Sequence, residues 1–286
     1  MAITYNNLYM DIRQQLRTAG VQASTLEARE LVCFASGKTR QQLQRDGQLY
    51  VPPAVEEQAR ALVRRHLAGE PVAYLIGEWE FYGLPLDIDR QVLIPRADTE
   101  TLVDCALSFL RGQAGSRVLD LCAGSGCIGL AVASQVADCR VTLGDISEGA
   151  LRICRQNIRR NDLSDRVAPL QVNAMVAPPR QLGTYDCILC NPPYIPTGDI
   201  AGLDVSVRDF EPHDALDGGE DGLELYRRIA KEAPAHLNAE GRIYLEVGAG
   251  EANAVLALIQ ENIDCAESGV INDLNGIPRV VWARSV

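Results

Sequence analysis

The chain has 286 residues, 47% of them hydrophobic, and a formal net charge of −11. This length suits two domains, or one large one, with a substantial core. An acidic chain binds polyanions poorly, because phosphate contacts depend on Lys and Arg, so DNA and RNA are unfavoured substrates. No apolar run approaches the roughly 20 residues that span a bilayer, and the N-terminus does not have the pattern of a signal peptide. We therefore expect a cytoplasmic protein without a membrane partner.

The nine cysteines are scattered along the chain, which favours reduced, mostly buried thiols over a disulfide framework. Cys187 and Cys190 form a CxxC pair within the apolar run YDCILC. Side chains alternate along a strand, so residues three apart face opposite sides and do not readily share a metal ion. We expect no metal site.

Residues 1–72 are predicted to form a small helical domain. Apolar residues recur at helical spacing over 5–16. Ser24 and Glu27 have the spacing of a capping box at the start of a second helix. A third long helix is expected to begin near Pro53.

The pattern then changes twice. Residues 73–98 alternate and carry turn residues, which predicts a β-hairpin linker. Residues 99–286 alternate between strand-like and helix-like segments, which is the signature of an α/β domain with a doubly wound parallel sheet. The strands are expected near 117–121, 140–145, 167–172, 185–190, 241–247 and 277–283.

The segment RVLDLCAGSGCIGLAVAS has the pattern of a strand, a glycine-rich turn and a helix. Gly124 and Gly126 allow the backbone to pass close to a ligand, and the N–H groups of the following helix point toward that ligand. Asp120 precedes the glycines, where it can meet a positive charge or an amino group. Asp145 is expected to end the next strand, where a carboxylate can accept hydrogen bonds from both hydroxyls of a ribose.

Gly124, Gly126 and Gly129 also spell GxGxxG, which by itself would support a nicotinamide dehydrogenase. In a dinucleotide site the loop accommodates a pyrophosphate, which a carboxylate such as Asp120 would repel. The acid therefore favours S-adenosylmethionine as the cofactor. A dehydrogenase and a non-catalytic binding module remain alternatives.

Asn191, Pro192, Pro193 and Tyr194 follow the predicted strand YDCILC, at the edge of a parallel sheet where ligands bind. The Asn191 side-chain oxygen and the Pro192 carbonyl oxygen can accept both N–H bonds of an NH₂ group, which holds its nitrogen toward a methyl donor. Tyr194 offers a π-face to the planar group or to a sulfonium cation. A rigid turn is the alternative interpretation, because two prolines stiffen any loop. The four residues together predict methylation of an amino group.

From about residue 68 to its end, the sequence resembles the peptide-chain release-factor glutamine methyltransferases, the HemK/PrmC family. The shared motifs are GEPVAYLIGEWEFYGL, LIPRADTE, VLDLCAGSGCIGLA, NPPYIP, RDFEPHDALDGGEDGLELYRRI and DLNGIPRVV. NPPY alone also occurs in adenine-N6 methyltransferases, so an amino-group methyltransferase acting on nucleic acid is the alternative function.

The resemblance implies a seven-stranded Rossmann-like methyltransferase domain behind a helical domain and a hairpin. It implies N5-methylation of the glutamine in the GGQ motif of class-1 peptide chain release factors. Residues 1–80 carry nine basic and nine acidic residues, whereas the remainder supplies the whole negative charge. We expect this charge-balanced N-terminal region to bind the protein substrate.

Asn191, Pro192, Pro193 and Tyr194 are expected to hold the substrate amide. The residues expected to contact S-adenosylmethionine are Asp120, Cys122, Ala123, Gly124, Ser125, Gly126, Asp145, Asn173, Ala174 and Asn191.

The sequence departs from the family pattern at two places. Cys122 stands where the family often has Gly. Asn173 and Ala174 stand where it usually has an acid followed by an aromatic residue beside the adenine. Because Ala174 cannot stack on the adenine, we expect a weaker affinity for the cofactor. Three charged residues of the LIPRADTE segment either order the cofactor pocket or serve as caps and ion pairs; they are Arg96, Asp98 and Glu100.

Overall fold

A computed structural model of the chain describes residues 2–176 and 182–286. The chain divides into two compact units. One contains the residues up to Glu78 together with Val205–Phe210, and the other contains Trp79–Asp204 and Glu211–Val286. The expected domain boundaries, at residues 72/73 and 98/99, remain a prediction.

The first unit is helical, as predicted. Its helices are α1 (Tyr5–Thr18), α2 (Ser24–Ser36), α3 (Arg40–Arg45), α4 (Pro53–Leu67), α5 (Val72–Ile76) and the short α9 (Val205–Arg208). The apolar stripe of α1 is buried through Leu8, Ile12 and Leu16, which pack with residues of α2 and α4 in one core. Helix α5 occupies the start of the segment that was expected to be a hairpin linker.

The predicted capping box of α2 is wrong. Ser24 is the first residue of the helix, and Ala23 occupies the N-cap position without a side-chain hydrogen bond. The Glu27 carboxylate is instead hydrogen-bonded to Nε2 of His66 at 2.9 Å. A partner on another helix thus engages the carboxylate that a capping box would have used locally.

The predicted hairpin is confirmed by β1 (Glu78–Phe81) and β2 (Leu84–Asp87). The larger sheet contains β3 (Arg117–Leu121), β4 (Arg140–Asp145), β5 (Val167–Gln171), β6 (Tyr185–Cys190), β7 (Leu237–Glu246), β8 (Cys265–Asn272) and β9 (Pro278–Ser285). The helices of this unit are α6 (Glu100–Leu110), α7 (Cys127–Gln135), α8 (Glu148–Arg160), α10 (Glu224–Glu232) and α11 (Ala252–Asn262).

The seven strands lie in the order β5-β4-β3-β6-β7-β9-β8. Strands β3 to β7 pair in parallel, whereas β9 is antiparallel to both β7 and β8. The Rossmann-like fold is therefore confirmed, with one antiparallel strand, β9, between β7 and the edge strand β8. The sequence pattern did not reveal β8, because this edge strand is mostly exposed or half-buried and lacks the apolar run of the inner strands.

The order of the strands fixes the position of the ligand-binding edge. Strand β3 lies between β4 and β6, and the chain reverses its direction of winding there. Leu121, at the end of β3, is in register with Gly144 and with Cys190. The loops that follow these three strands therefore meet at one edge, which is the topological switch point where α/β folds bind ligands.

Among the described residues, no helix combines the length and the apolar character needed to cross a membrane.

Candidate active site

A cavity of about 660 Å³ lies at the carboxyl ends of β3, β4 and β6. It brings together most of the residues that the sequence assigned to the site, namely Cys122, Ala123, Gly124, Ser125, Asp145, Asn173, Ala174, Asn191 and Pro193. The remaining predicted residues (Asp120, Gly126, Pro192 and Tyr194) are not in its lining. Residues from four separate parts of the second unit thus line one cavity.

The glycine-rich loop owes its shape to an unusual backbone. Gly124 and Gly126 have φ angles of 55° and 81°, in the left-handed region that glycine adopts without strain. Cys122 also has a positive φ, of 59°, which costs energy for a residue with a Cβ atom. The resemblance implied glycine at this position, and a glycine would adopt this backbone without strain.

Asp145 holds the glycine-rich loop against the loop after β4. Its Oδ2 accepts a hydrogen bond from the Gly124 N–H at 2.8 Å, and its Oδ1 accepts one from Ser147 at 2.9 Å. Burial raises the pKa of Asp145, and these backbone donors partly oppose that shift. Because a carboxylate has about four acceptor positions, Asp145 can accept further hydrogen bonds on the side that lines the cavity.

Asp120 lies behind the loop and is fully buried. Its Oδ2 accepts the Gly129 N–H at 2.8 Å, and its Oδ1 has no hydrogen-bond partner among the described residues. Burial raises the pKa of Asp120 to about 7, with a smaller contribution from the nearby Asp145. A direct contact between Asp120 and a bound cofactor remains a prediction.

Asn191 lines the cavity, and its side-chain amide has a defined orientation. Nδ2 donates to Oγ1 of Thr99 at 3.4 Å. The carbonyl oxygen of Asn191 therefore lies on the amide edge away from Thr99, where it can accept a hydrogen bond from a ligand.

A glycine-containing segment, Leu216–Gly222, braces the NPPY loop. The Ile195 N–H donates to the Leu216 carbonyl at 3.0 Å, and the Gly218 N–H donates to the Ile195 carbonyl at 2.8 Å. A Cβ atom on Gly222 would lie 2.4 Å from the Tyr194 carbonyl oxygen, and Gly222 has a φ of 77°. Only glycine fits there, which explains part of the motif DALDGGEDGL.

Tyr194 is half-buried and packs against the core beneath the sheet. Burial raises its pKa to about 12. The phenol is therefore neutral at physiological pH, and it does not act as a base in that range.

The three charged residues of the LIPRADTE segment have separate partners. Arg96, which lines the cavity, forms an ion pair with the buried Glu211. Asp98 pairs with Arg279 at 3.2 Å, and the Glu100 carboxylate accepts the Tyr82 N–H at 3.1 Å. Asp98 thus forms an ion pair, Glu100 accepts a backbone hydrogen bond from the hairpin turn, and Arg96 combines an ion pair with a position on the cavity wall.

Three residues near the site were not identified from the sequence. Ile146 directly follows Asp145, lines the cavity and is 54% exposed although it is apolar. Thr99 accepts the hydrogen bond from Asn191, and Glu246 is a buried carboxylate at the end of β7 whose pKa burial raises to about 7. The 92 positions between Thr99 and Asn191 hid their contact, although Thr99 lies within a motif that the resemblance had already indicated.

The described residues contain no group of three or more His, Cys, Asp or Glu side chains arranged to hold a metal ion.

The strand order, the glycine-rich loop and the NPPY segment beside one cavity define a Rossmann-like methyltransferase. The structure of a methyltransferase from Pyrococcus furiosus has the same fold, with a TM-score of 0.50 and 19% sequence identity over 77% of this chain and 96% of that one. Enzymes of this class use a methyl donor of the S-adenosylmethionine type.

Family comparisons narrow the class. Residues 7–77 match the PrmC N-terminal domain, and residues 99–204 match the methyltransferase small domain. The chain is 38% identical to the release factor glutamine methyltransferase of Geobacter sulfurreducens, over 95% of this chain and 93% of that protein. It is 42% identical to the enzyme of the same name from Gloeobacter violaceus, over 82% and 84% of the two chains. The chain belongs to the release factor glutamine methyltransferase family.

Proposed function

We propose that this protein transfers a methyl group from S-adenosylmethionine to the side-chain amide nitrogen, N5, of the glutamine in the GGQ motif of class-1 peptide chain release factors. The observation that carries the proposal is the oriented amide of Asn191 at the wall of the cavity. Its nitrogen is engaged by Thr99, so its oxygen is left to accept an N–H bond. The names of the relatives support this choice of substrate.

The cavity suits S-adenosylmethionine. Its volume of about 660 Å³ lies within the usual range for small-molecule sites. Asp145 would accept hydrogen bonds from the ribose hydroxyls, and the backbone of Cys122–Ser125 would face the methionine portion. Ile146 and Ala174 would provide apolar contacts for the adenine, and the Asn173 side-chain oxygen would accept a bond from its amino group. When bound, the cofactor supplies an electrophilic methyl group on a positively charged sulfur.

The substrate nitrogen is a poor nucleophile, because an amide lone pair is delocalised into the carbonyl group. The Asn191 Oδ1 and the Pro192 carbonyl would accept the two N–H bonds and fix the direction of the lone pair. As the new N–CH₃ bond forms, positive charge builds on the nitrogen and both acceptors stabilise it. The new bond would replace the donor's S–CH₃ bond, and one of the two nitrogen protons would pass to solvent water, which restores the planar amide. Tyr194 stays a neutral phenol and would contribute its ring face.

The N-terminal region, residues 1–72, would bind the release factor and take no part in the chemistry. Its charge balance differs from that of the remaining chain, which carries the whole net negative charge. A release-factor substrate also implies a cytoplasmic location, as the sequence led us to expect.

The decisive experiment supplies S-adenosylmethionine with a labelled methyl group to the enzyme and to each purified class-1 release factor. We expect label on the GGQ glutamine, located by mass spectrometry of the digested factor. A release factor with that glutamine replaced by glutamate is the matched control and should stay unlabelled. Label in DNA or RNA but in neither release factor would establish the alternative function and refute this one.

A further inference from the structure

We infer that the turn between β8 and β9, residues 273–277, is a docking site for the protein substrate. Its two exposed apolar side chains, Leu274 and Ile277, would pack against the release factor while the glutamine of that factor occupies the cavity. This inference rests on the proposed function, because the partner is the substrate of that function. The turn lies in the segment DLNGIPRVV, none of whose residues lines the cavity.

Apolar side chains cover much of the surface of this turn. Leu274 is fully exposed, Ile277 is 41% exposed, and the adjacent Pro278 is exposed as well. A tight turn needs polar or small residues at its tip, which Asn275 and Gly276 provide, so the turn itself does not account for the two apolar residues. Neighbouring exposed apolar side chains are typical of a surface that a partner covers.

Hydrogen bonds hold the turn in one shape. Oδ1 of the buried Asp273 accepts the Asn275 N–H at 2.8 Å and the Ile277 N–H at 3.0 Å. The Asp273 N–H donates to the Ile277 carbonyl at 2.8 Å. Gly276 has a φ of 80°, which glycine adopts without strain. A turn that is already ordered loses little conformational entropy when it binds a partner.

The base of the turn is joined to the wall of the cavity through Arg279. Its guanidinium group pairs with Asp273 at 3.5 Å and with Asp98 at 3.2 Å. In the sequence, Asp98 lies between Arg96 and Thr99, which both line the cavity. The position of the turn is therefore fixed with respect to the cavity.

The pairing of the strands places the turn close to the NPPY segment. Leu245 of β7 is in register with Cys190 at the end of β6, and the next residue, Glu246, is in register with Val280 near the start of β9. Since neighbouring strands are about 4.8 Å apart, β6 and β9 are separated by about 10 Å at this level. Because β9 is antiparallel to β7, the turn that precedes it lies at the same edge as Asn191, which follows Cys190.

A protein whose glutamine reaches Asn191 would cover this turn. A stable protein–protein interface buries about 800 Å² on each partner, which corresponds to a circular patch about 16 Å in radius. The reacting nitrogen sets the centre of that patch at the NPPY segment, and the start of β9 lies about 10 Å away. The turn therefore falls within the surface that the release factor is expected to contact.

Leu274→Ser removes the larger apolar contact. We expect the KM for the release factor to rise about 10-fold, and to rise further when Ile277→Ser is added, because apolar area is no longer buried on binding. The kcat at saturating release factor and the affinity for S-adenosylmethionine should stay at their wild-type values, because neither residue lines the cavity. Leu274→Met keeps an apolar side chain of similar volume and should leave the KM within about two-fold of the wild type.

Val286→Ser is the matched control. Val286 is also apolar and 66% exposed, but it follows the other end of β9. Strand β9 contains eight residues, so its two ends are about 25 Å apart. This control should leave the KM for the release factor unchanged. Melting curves for every variant would establish that the protein folds.

Three results would overturn the inference while the proposed function stands. They are an unchanged KM in the folded double variant, a KM raised equally by Val286→Ser, and a fall in kcat alone, since the turn would then act on the chemistry. Sedimentation would identify the occupant in the first case: a wild-type dimer that the double variant does not form would assign the turn to a second copy of the chain. A wild-type enzyme that fails to methylate release factors would instead refute the proposed function, and this inference with it.

Discussion

The Asp145 carboxylate and the Gly124 N–H are joined by a 2.8 Å hydrogen bond that spans the loops after β3 and β4. The residue proposed to bind the ribose therefore also shapes the loop proposed to contact the methionine portion. One side chain links the two halves of the proposed cofactor site, so we expect its removal to affect both.

We expect Asp145→Ala to weaken S-adenosylmethionine binding by roughly 1–3 kcal/mol, the usual loss when hydrogen bonds to a charged partner disappear. Asp145→Asn keeps one acceptor oxygen, so we expect a smaller loss of affinity for S-adenosylmethionine. Isothermal calorimetry would measure both affinities, with melting curves to establish that the variants fold. An Asp145→Ala protein that binds the cofactor normally would remove Asp145 from the site.

Asn191→Ala should lower kcat about 10²–10³-fold and affect KM much less. The hydrogen bond to the lost acceptor strengthens only as positive charge develops on the nitrogen, so it stabilises the transition state more than the bound substrate. Single-turnover methyl transfer at saturating cofactor would measure the effect. Asn191→Asp retains an acceptor and should keep part of the activity. A well-folded Asn191→Ala enzyme with a near-normal rate would reveal NPPY as a structural turn and would remove the main support for amide methylation.

The buried Asp120 predicts a pH-dependent stability. Its pKa rises from 3.8 to about 7 on folding, so between these values the folded chain holds a proton that the unfolded chain has released. Stability must therefore fall as the pH rises through this window. Asp120→Asn does not titrate and can still accept the Gly129 N–H. We expect its free energy of unfolding at pH 8 to exceed that of the wild type by about 1–3 kcal/mol, the usual cost of an unsatisfied buried group.

Urea unfolding of the cofactor-free protein at pH 5 and pH 8 would test this. Asp186→Asn is the comparison variant, since Asp186 is a half-buried residue of β6 whose carboxylate has hydrogen-bond partners. Equal pH dependence in the wild type and Asp120→Asn would show that Asp120 does not titrate as described.

The N-terminal region offers a prediction that separates binding from chemistry. Every residue assigned to the chemistry lies beyond residue 90, and residues 1–80 are charge-balanced. Deletion of residues 1–70, in a protein whose remainder stays folded, should raise the KM for the release factor and leave cofactor affinity intact. Steady-state kinetics at varied release-factor concentration would measure this KM. An unaltered KM would contradict the proposal that the N-terminal region binds the protein substrate.

Local sequence patterns were sufficient to predict much of this molecule. The helices near residue 5 and at Pro53, the hairpin and six strands were all recognisable, because each depends on spacing and on turn residues within a short segment. The position of Asp145, Asn173 and Asn191 at one edge also followed, since parallel strands bring their carboxyl ends together. The chemistry of NPPY could be stated because the acceptor atoms belong to consecutive residues.

Contacts between distant segments could not be predicted in this way. Glu27 has the spacing of a cap, yet it is engaged by His66 from another helix, because a nearby partner in space competes with a local one. Gly222 must be glycine only because the Tyr194 carbonyl lies where its Cβ would be. The Asn191 side chain donates a hydrogen bond to Thr99, 92 positions earlier in the chain. Composition and spacing determined the fold and the kinds of chemical group at the site, whereas the direction in which those groups point was decided by tertiary packing, because hydrogen-bond geometry depends on separation in space and not in sequence.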